Sequence, residues 1–290
     1  MNEIIALEGI QTRYGDVIVL DDINLSIARG RPLALLGRNG AGKTTLLSTL
    51  AGLLRPTDGR LLIPRGTRVS YLPEERGVYP SMTVSEHLDF FARLSGARDD
   101  AARRWAEAFE LDRYSDYRVR ELSKGNQQRV QLACALIDEP DCILLDEPFS
   151  GLDPIGRTLV SAVLEDYARD HWVVLSAHEV RAIAEMITDI AFIRDGRIVR
   201  AGSLEELSAA YGGHQLTVER PEAVEHIVAQ EPDLSCSRTN RGWLQIHGLE
   251  DYRRVISLLA RGSDPGAFTW TAPSLSDLYV SILGHQEVAS

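Results

Sequence analysis

Leu33-Ala34-Leu35-Leu36-Gly37-Arg38-Asn39-Gly40-Ala41-Gly42-Lys43-Thr44 decides how the rest of the chain is read. Its first four residues are apolar without alternation, as in a strand buried on both faces, and the apolar-rich stretch 44–54 that follows has helical spacing. Between them lies G-x-x-x-x-G-K-[ST], complete at every fixed position. A glycine loop in that position lets backbone N–H groups approach an anion, and the helix N-terminus adds partial positive charge. Such a loop cradles the phosphates of a nucleotide, with Lys43 supplying charge near the terminal groups and the Thr44 hydroxyl available to Mg²⁺.

Upstream, residues 4–8, 17–20 and 23–27 alternate apolar and polar positions around turn residues and read as short antiparallel strands. Downstream, 87–94, 101–110 and 127–137 carry apolar residues three and four apart, so that about 83–137 forms a helical insertion. Two further buried-strand runs, Cys142-Ile143-Leu144-Leu145 and Trp172-Val173-Val174-Leu175, flank a helical stretch at 156–169. This order predicts an α/β fold with a mainly parallel core sheet, closed by a hairpin at 190–194 and 197–201 that turns on Asp195-Gly196. Past Tyr211-Gly212-Gly213 the pattern becomes strand 215–219, helix 221–229, strands 235–238 and 242–247, helix 251–260 and strand 267–271, with a last helix at 274–283. That βαββαβ order predicts a small ferredoxin-like domain at 213–290, separate from the large domain at 1–212.

Composition narrows the classes. The 290 residues are 44% hydrophobic and 25% charged, as in a globular protein. A net charge of −11 argues against a surface built to track nucleic-acid phosphates. Cys134, Cys142 and Cys236 stand far apart without metal-ligand spacing and read as small buried residues in a reducing compartment. No secretion signal opens the sequence, and no run reaches the roughly 18 apolar residues of a spanning helix, so any membrane role is expected to come through a partner.

Three more segments carry chemistry. Leu144-Leu145-Asp146-Glu147-Pro148 ends a buried strand in two acids, placing Asp146 to hold the Mg²⁺ shell and Glu147 to polarise an attacking water. His178 follows the next strand at the end of the sheet where α/β folds bind ligands, and is a candidate partner for the γ-phosphate or that water. Ser123, in Leu122-Ser123-Lys124-Gly125-Asn126-Gln127-Gln128-Arg129, caps a helix whose first N–H groups, including that of Gly125, face an anion or simply end the helix. A second phosphate grip is surplus to one nucleotide site unless it serves a nucleotide held by another chain.

The order of these segments, together with Ser150-Gly151-Leu152-Asp153-Pro154, resembles the ATP-binding cassette (ABC) ATPases over roughly residues 3 to 210. The resemblance implies a P-loop ABC cassette with antiparallel and helical subdomains, the cofactors ATP and Mg²⁺, and catalytic roles for Glu147, His178 and Lys43. It implies nucleotide contacts from Tyr14 on adenine and from Gly37, Asn39, Gly40, Gly42, Lys43, Thr44 and Thr45. It also implies that Ser123, Gly125 and Gln127 act in trans within a head-to-tail cassette dimer, formed with a second copy or a close relative. Thr44, Asp146 and Glu74 become the expected metal ligands; Glu74 stands where the family usually has glutamine, a change that keeps an oxygen ligand but loses an amide donor. Lys124 replaces a frequent glycine, predicting an ordinary negative φ there. The variant signature, residues 74–79 and the C-terminal domain together resemble the cassettes of ABC-2 type exporters, including sodium-efflux and drug-resistance systems. That implies a peripheral protein on the cytoplasmic face, with 76–84 meeting a helix of an integral membrane subunit. The alternatives are a soluble ABC ATPase that remodels macromolecules, and a P-loop kinase, which leaves 122–129 and 150–154 without a purpose.

Overall fold

The computed structural model describes residues 4–75, 77–178, 180, 183–210, 214–239, 241–249 and 251–284. The expected roles of Arg76 and of the Tyr211-Gly212-Gly213 boundary lie outside those residues. The chain folds as two compact units, Met1–Ala201 and Gly202–Ser290.

In the first unit the N-terminal runs merge into two long strands, β1 (Ile4–Tyr14) and β2 (Val17–Ala28). Register shifts in their pairing, near Gly9 with φ 60° and Asp22 with φ 54°, kink the ribbon and break the alternation, which is why the sequence read as shorter pieces. After β3 (Leu33–Leu36) and α1 (Lys43–Leu50), strand β4 (Asp58–Leu62) pairs with β1 to complete an antiparallel sheet in the order β2-β1-β4.

Strand β5 (Val69–Leu72) opens the second sheet. The helical insertion follows as α2 (Val84–Ser95), α3 (Ala101–Ala108) and α4 (Lys124–Leu136). Then come β6 (Cys142–Leu145), α5 (Pro154–Ala168), β7 (Trp172–Ala177), β8 (Asp189–Arg194) and β9 (Arg197–Ser203). The six strands lie in the order β5-β6-β7-β3-β8-β9, with parallel pairing from β5 through β8. Every residue of β3, β6 and β7 is buried, as continuous apolar runs require. One core joins Ile5, Leu20 and Ile23 of the antiparallel sheet to Leu46 and Leu50 of α1 and to Leu35, Leu144 and Val174 of the parallel sheet. Truncating a fully buried leucine such as Leu35 to alanine costs roughly 2–5 kcal/mol.

The second unit begins with α6 (Leu204–Ala210), so the division precedes the boundary expected at 212. Strand β10 (Gln215–Val218), helix α7 (Glu225–Val228), strands β11 (Ser235–Arg238) and β12 (Leu244–His247), helix α8 (Tyr252–Arg261), strand β13 (Phe268–Thr271) and helix α9 (Leu275–Leu283) follow. Their antiparallel order, β11-β12-β10-β13, is that of the ferredoxin-like split βαβ. The single helix expected over 221–229 is instead a 3₁₀ turn, Pro221–Ala223, and one α-turn, because Val224 leaves helical geometry at φ −134°. Cys142 is buried and Cys134 nearly so, but Cys236 is exposed on β11, against the expectation for all three.

Candidate functional site

The P-loop geometry follows from its glycines. Gly42 caps α1 at φ 106° with no side-chain hydrogen bond, leaving the first-turn N–H groups to an external acceptor. The torsion is what demands glycine, and a Cβ there would also crowd Leu20 Cδ2 at 2.9 Å and the Val19 carbonyl oxygen at 3.2 Å. Gly37 has another reason: its Cβ would lie 2.4 Å from the Ile193 carbonyl oxygen, which brings the loop against β8. Lys43 is 7% exposed and donates to the carbonyls of Gly37 at 2.8 Å and Arg38 at 3.3 Å, folded over its own loop.

Parallel register brings the ends of β6 and β7 to the same level. Asp146, 1% exposed, accepts from Thr44 Oγ1 at 2.6 Å through Oδ2 and from Ser176 Oγ at 2.5 Å through Oδ1. Its amide donates to Leu72 O at 2.8 Å, tying it to the end of β5 two residues before Glu74. Glu147 adopts φ 51°, in the left-handed region, and donates its amide to Ser176 Oγ at 2.9 Å. That turn swings its carboxylate to His178, whose Nδ1 lies 2.7 Å from Oε2. Burial pushes the Glu147 carboxyl above the usual carboxylate range, while His178 and Lys43 act in the opposite sense. Burial likewise pushes up the Tyr71 phenol, with the charges of Asp146 and Glu74 adding to the effect.

Tyr14, Asn39, Gly40, Gly42, Lys43, Thr44, Thr45, Glu74, Asp146, Glu147 and His178 all line one cavity of about 430 Å³, together with Val19. Gly37 supports it from behind. Thr44, Asp146 and Glu74 form an all-oxygen donor set that suits Mg²⁺, and among the described residues no cluster of three or more His, Cys, Asp or Glu side chains competes for a metal. With so few protein ligands, an ion held there would take the rest of its oxygen ligands from water and from a bound nucleotide.

Ser123, Gly125 and Gln127 do not line this cavity. Ser123 is exposed and caps α4 by accepting from Asn126 N at 3.2 Å. Lys124 takes ordinary helical torsions as its first residue. A Cβ at Gly125 would lie 3.2 Å from the Gly151 carbonyl, so the glycine permits close packing on the loop at 150–154. Gln127 Nε2 donates to the carbonyls of Val119 at 3.1 Å and Leu122 at 3.2 Å, bracing the segment before the helix. Sequence reasoning missed Ser176, which bonds to both acids; its trace was one hydroxyl in the otherwise apolar run Trp172-Val173-Val174-Leu175-Ser176-Ala177.

Comparison with known proteins agrees with this architecture. The ABC transporter family model matches residues 20–150. YhaQ of Bacillus subtilis, described as an uncharacterized ABC transporter ATP-binding protein, is 31% identical over 97% of this chain and 98% of its own length. Nod factor export ATP-binding protein I of Ralstonia nicotianae is 34% identical over 70% of this chain and 68% of its own. A solved ATP-binding subunit of an ABC transporter superposes with TM-score 0.65 at 28% identity, covering 72% of this chain and 93% of that one. The chain belongs to the ATP-binding subunits of ABC transporters. Membership implies ATP hydrolysis with Mg²⁺, pairing with another ATPase subunit and a membrane permease.

Proposed function

We propose that this subunit energises an exporter, hydrolysing ATP between two cassettes on the cytoplasmic face of a membrane. The observation that carries the catalytic reading is the convergence of Lys43, Thr44, Asp146, Glu147 and His178 on one cavity at the carboxyl ends of β3, β6 and β7. In this reading the α1 N-terminus and Lys43 bind the phosphates, and Tyr14 stacks on the base. Thr44 and Asp146, with Glu74, hold Mg²⁺, which when bound neutralises charge on the phosphate oxygens. Glu147 takes the proton of the attacking water, its raised basicity suiting that task, and His178 holds its carboxylate in place. Ser123 and Gly125, exposed or partly so at the start of α4, serve the nucleotide of the facing cassette.

No helix among the described residues is long and apolar enough to cross a membrane, and in this reading a separate membrane subunit forms the pore. Its contact is proposed at the groove beside Gly77, His87, Phe91 and Leu94, about 320 Å³ in volume, where exposed Tyr79, Phe90 and Leu94 add apolar surface. Export as the direction rests on the resemblance of 74–79 and of the signature to exporter cassettes, and on similarity to a protein named for Nod factor export.

The test is Glu147→Gln, which leaves the phosphate loop intact. It is expected to bind ATP, lose turnover and accumulate as an ATP-stabilised dimer on size exclusion; hydrolysis at the wild-type rate refutes the base assignment. Purification from native membranes with an accompanying hydrophobic chain, followed by efflux from reconstituted vesicles, tests the exporter reading. Recovery without any membrane partner overturns it.

A further inference from the structure

We infer that Ser176 is a positioning residue that sets the metal-facing acid and the catalytic base with one hydroxyl. The inference rests on the roles proposed above for Asp146 and Glu147. Ser176 is fully buried in β7, with β6 on one side and β3 on the other, where its neighbours along the strand are apolar. Its Oγ meets two partners, Asp146 Oδ1 at 2.5 Å and Glu147 N at 2.9 Å. The proton directions are fixed by chemistry. An amide only donates, so the serine oxygen accepts from Glu147, and its single proton goes to the carboxylate of Asp146.

Two consequences follow from that one group. Asp146 is clamped between hydroxyls, Ser176 on Oδ1 and Thr44 on Oδ2, so its plane is set before a cation arrives. Without Ser176 the carboxylate loses the tie to β7 and keeps only those to Thr44 on α1 and to the Tyr71 phenol on β5. Glu147, meanwhile, holds an unfavourable φ of 51° only because neighbouring contacts impose it, and the amide bond to Ser176 is the contact at its own nitrogen. That conformation directs the Glu147 carboxylate to His178. An apolar side chain in this strand would satisfy packing but take from the buried Glu147 amide its acceptor and from the Asp146 carboxylate one of its donors. The hydroxyl is therefore required by the two acids and not by the sheet.

The test compares Ser176→Thr with Ser176→Val, which match in shape and differ in the hydroxyl, and adds Ser176→Cys as a weak donor near the original size. Equilibrium binding of a non-hydrolysable ATP analogue is measured at rising Mg²⁺, beside steady-state hydrolysis and thermal unfolding. The valine variant is expected to need roughly 10–100-fold more Mg²⁺ for half-maximal effect and to lose kcat by a similar factor, as removal of an outer-shell partner does elsewhere. The KM for ATP at saturating Mg²⁺ stays near wild type, threonine restores both quantities, and cysteine falls between. A valine variant with the wild-type Mg²⁺ midpoint and kcat overturns the inference, as does a threonine variant impaired as deeply as valine. Should valine fail to fold, cysteine against threonine reads the same difference, and equality between them overturns it. Failure of the underlying reading is seen elsewhere: wild-type binding indifferent to Mg²⁺, or unimpaired hydrolysis by Glu147→Gln, refutes the roles of the acids whatever the Ser176 series gives, and the inference falls with them.

Discussion

Replacing Glu147 by glutamine should damage turnover and at the same time stabilise the resting protein. The side chain is only 11% exposed, and its carboxylate faces His178, whose Nδ1 lies 2.7 Å away. Glutamine keeps the shape, and its amide oxygen can accept from the same imidazole N–H, so the substitution chiefly removes a charge. Loss of a general base lowers kcat by roughly 10²–10⁴. Stability moves the other way because burial holds the folded carboxyl above its ordinary range. The folded state then binds the proton more tightly than the unfolded chain, so this group's contribution is complete below the unfolded carboxylate pKa and is lost as pH rises through the folded one. Each unit of that displacement corresponds to about 1.4 kcal/mol, and each kcal/mol to about 2–4 °C in Tm for a domain of this size. Thermal unfolding without nucleotide, run from acidic to neutral pH, should show the glutamine variant more stable near pH 7, with the gap closing as pH falls into the ordinary carboxylate range. A variant equal to or weaker than wild type at pH 7, or an advantage that persists unchanged in acid, refutes the reasoning.

Gly37→Ala forces a Cβ to 2.4 Å from the Ile193 carbonyl and 2.8 Å from its Cγ2, a clash with a central strand. It should cost roughly 1–3 kcal/mol in urea unfolding and weaken ATP binding in an equilibrium titration. The thiols of Cys134 and Cys142 are both pushed up to about 12 by burial, whereas Cys236 is exposed. A thiol reagent at mildly alkaline pH should therefore modify Cys236 rapidly and the other two only after unfolding, as counted by intact mass. His87 Nε2 accepts from Tyr79 N at 3.1 Å, and burial lowers its pKa below the ordinary 6.5. The unfolded chain takes that proton first, so stability is full above the ordinary value and declines as pH falls below it. His87→Gln should flatten this acid-side slope in a pH series of unfolding curves.

The phosphate loop and the Asp146-Glu147 pair were legible because their information is local: the glycines that shape the loop, and the acids that end the strand, adjoin the residues that reveal them. Ser176 was not, since its role exists only once β7 lies beside β6 and its hydroxyl reaches residues 29 and 30 positions away. The same limit hid β4, whose residues are almost all exposed and carry no buried face to read. Val224, Ile227 and Val228 repeat at helical spacing and are all buried, yet a turn followed by a single α-turn buries them equally well, so periodicity could not tell the two apart. Ser123 was read correctly as a cap, but no pattern along the chain says what lies beyond a helix end.

The hydrogen bond between Thr44 and Asp146 joins residues 102 apart in sequence. Closing a loop of that span carries an entropic cost, and a nascent chain released before β6 has the phosphate loop but lacks Asp146, Glu147 and His178. ATP, which meets residues from both sides of that contact, by mass action holds the distant segments together. For this protein, resistance of the whole first unit to proteases in the presence of nucleotide becomes a measure of completed assembly.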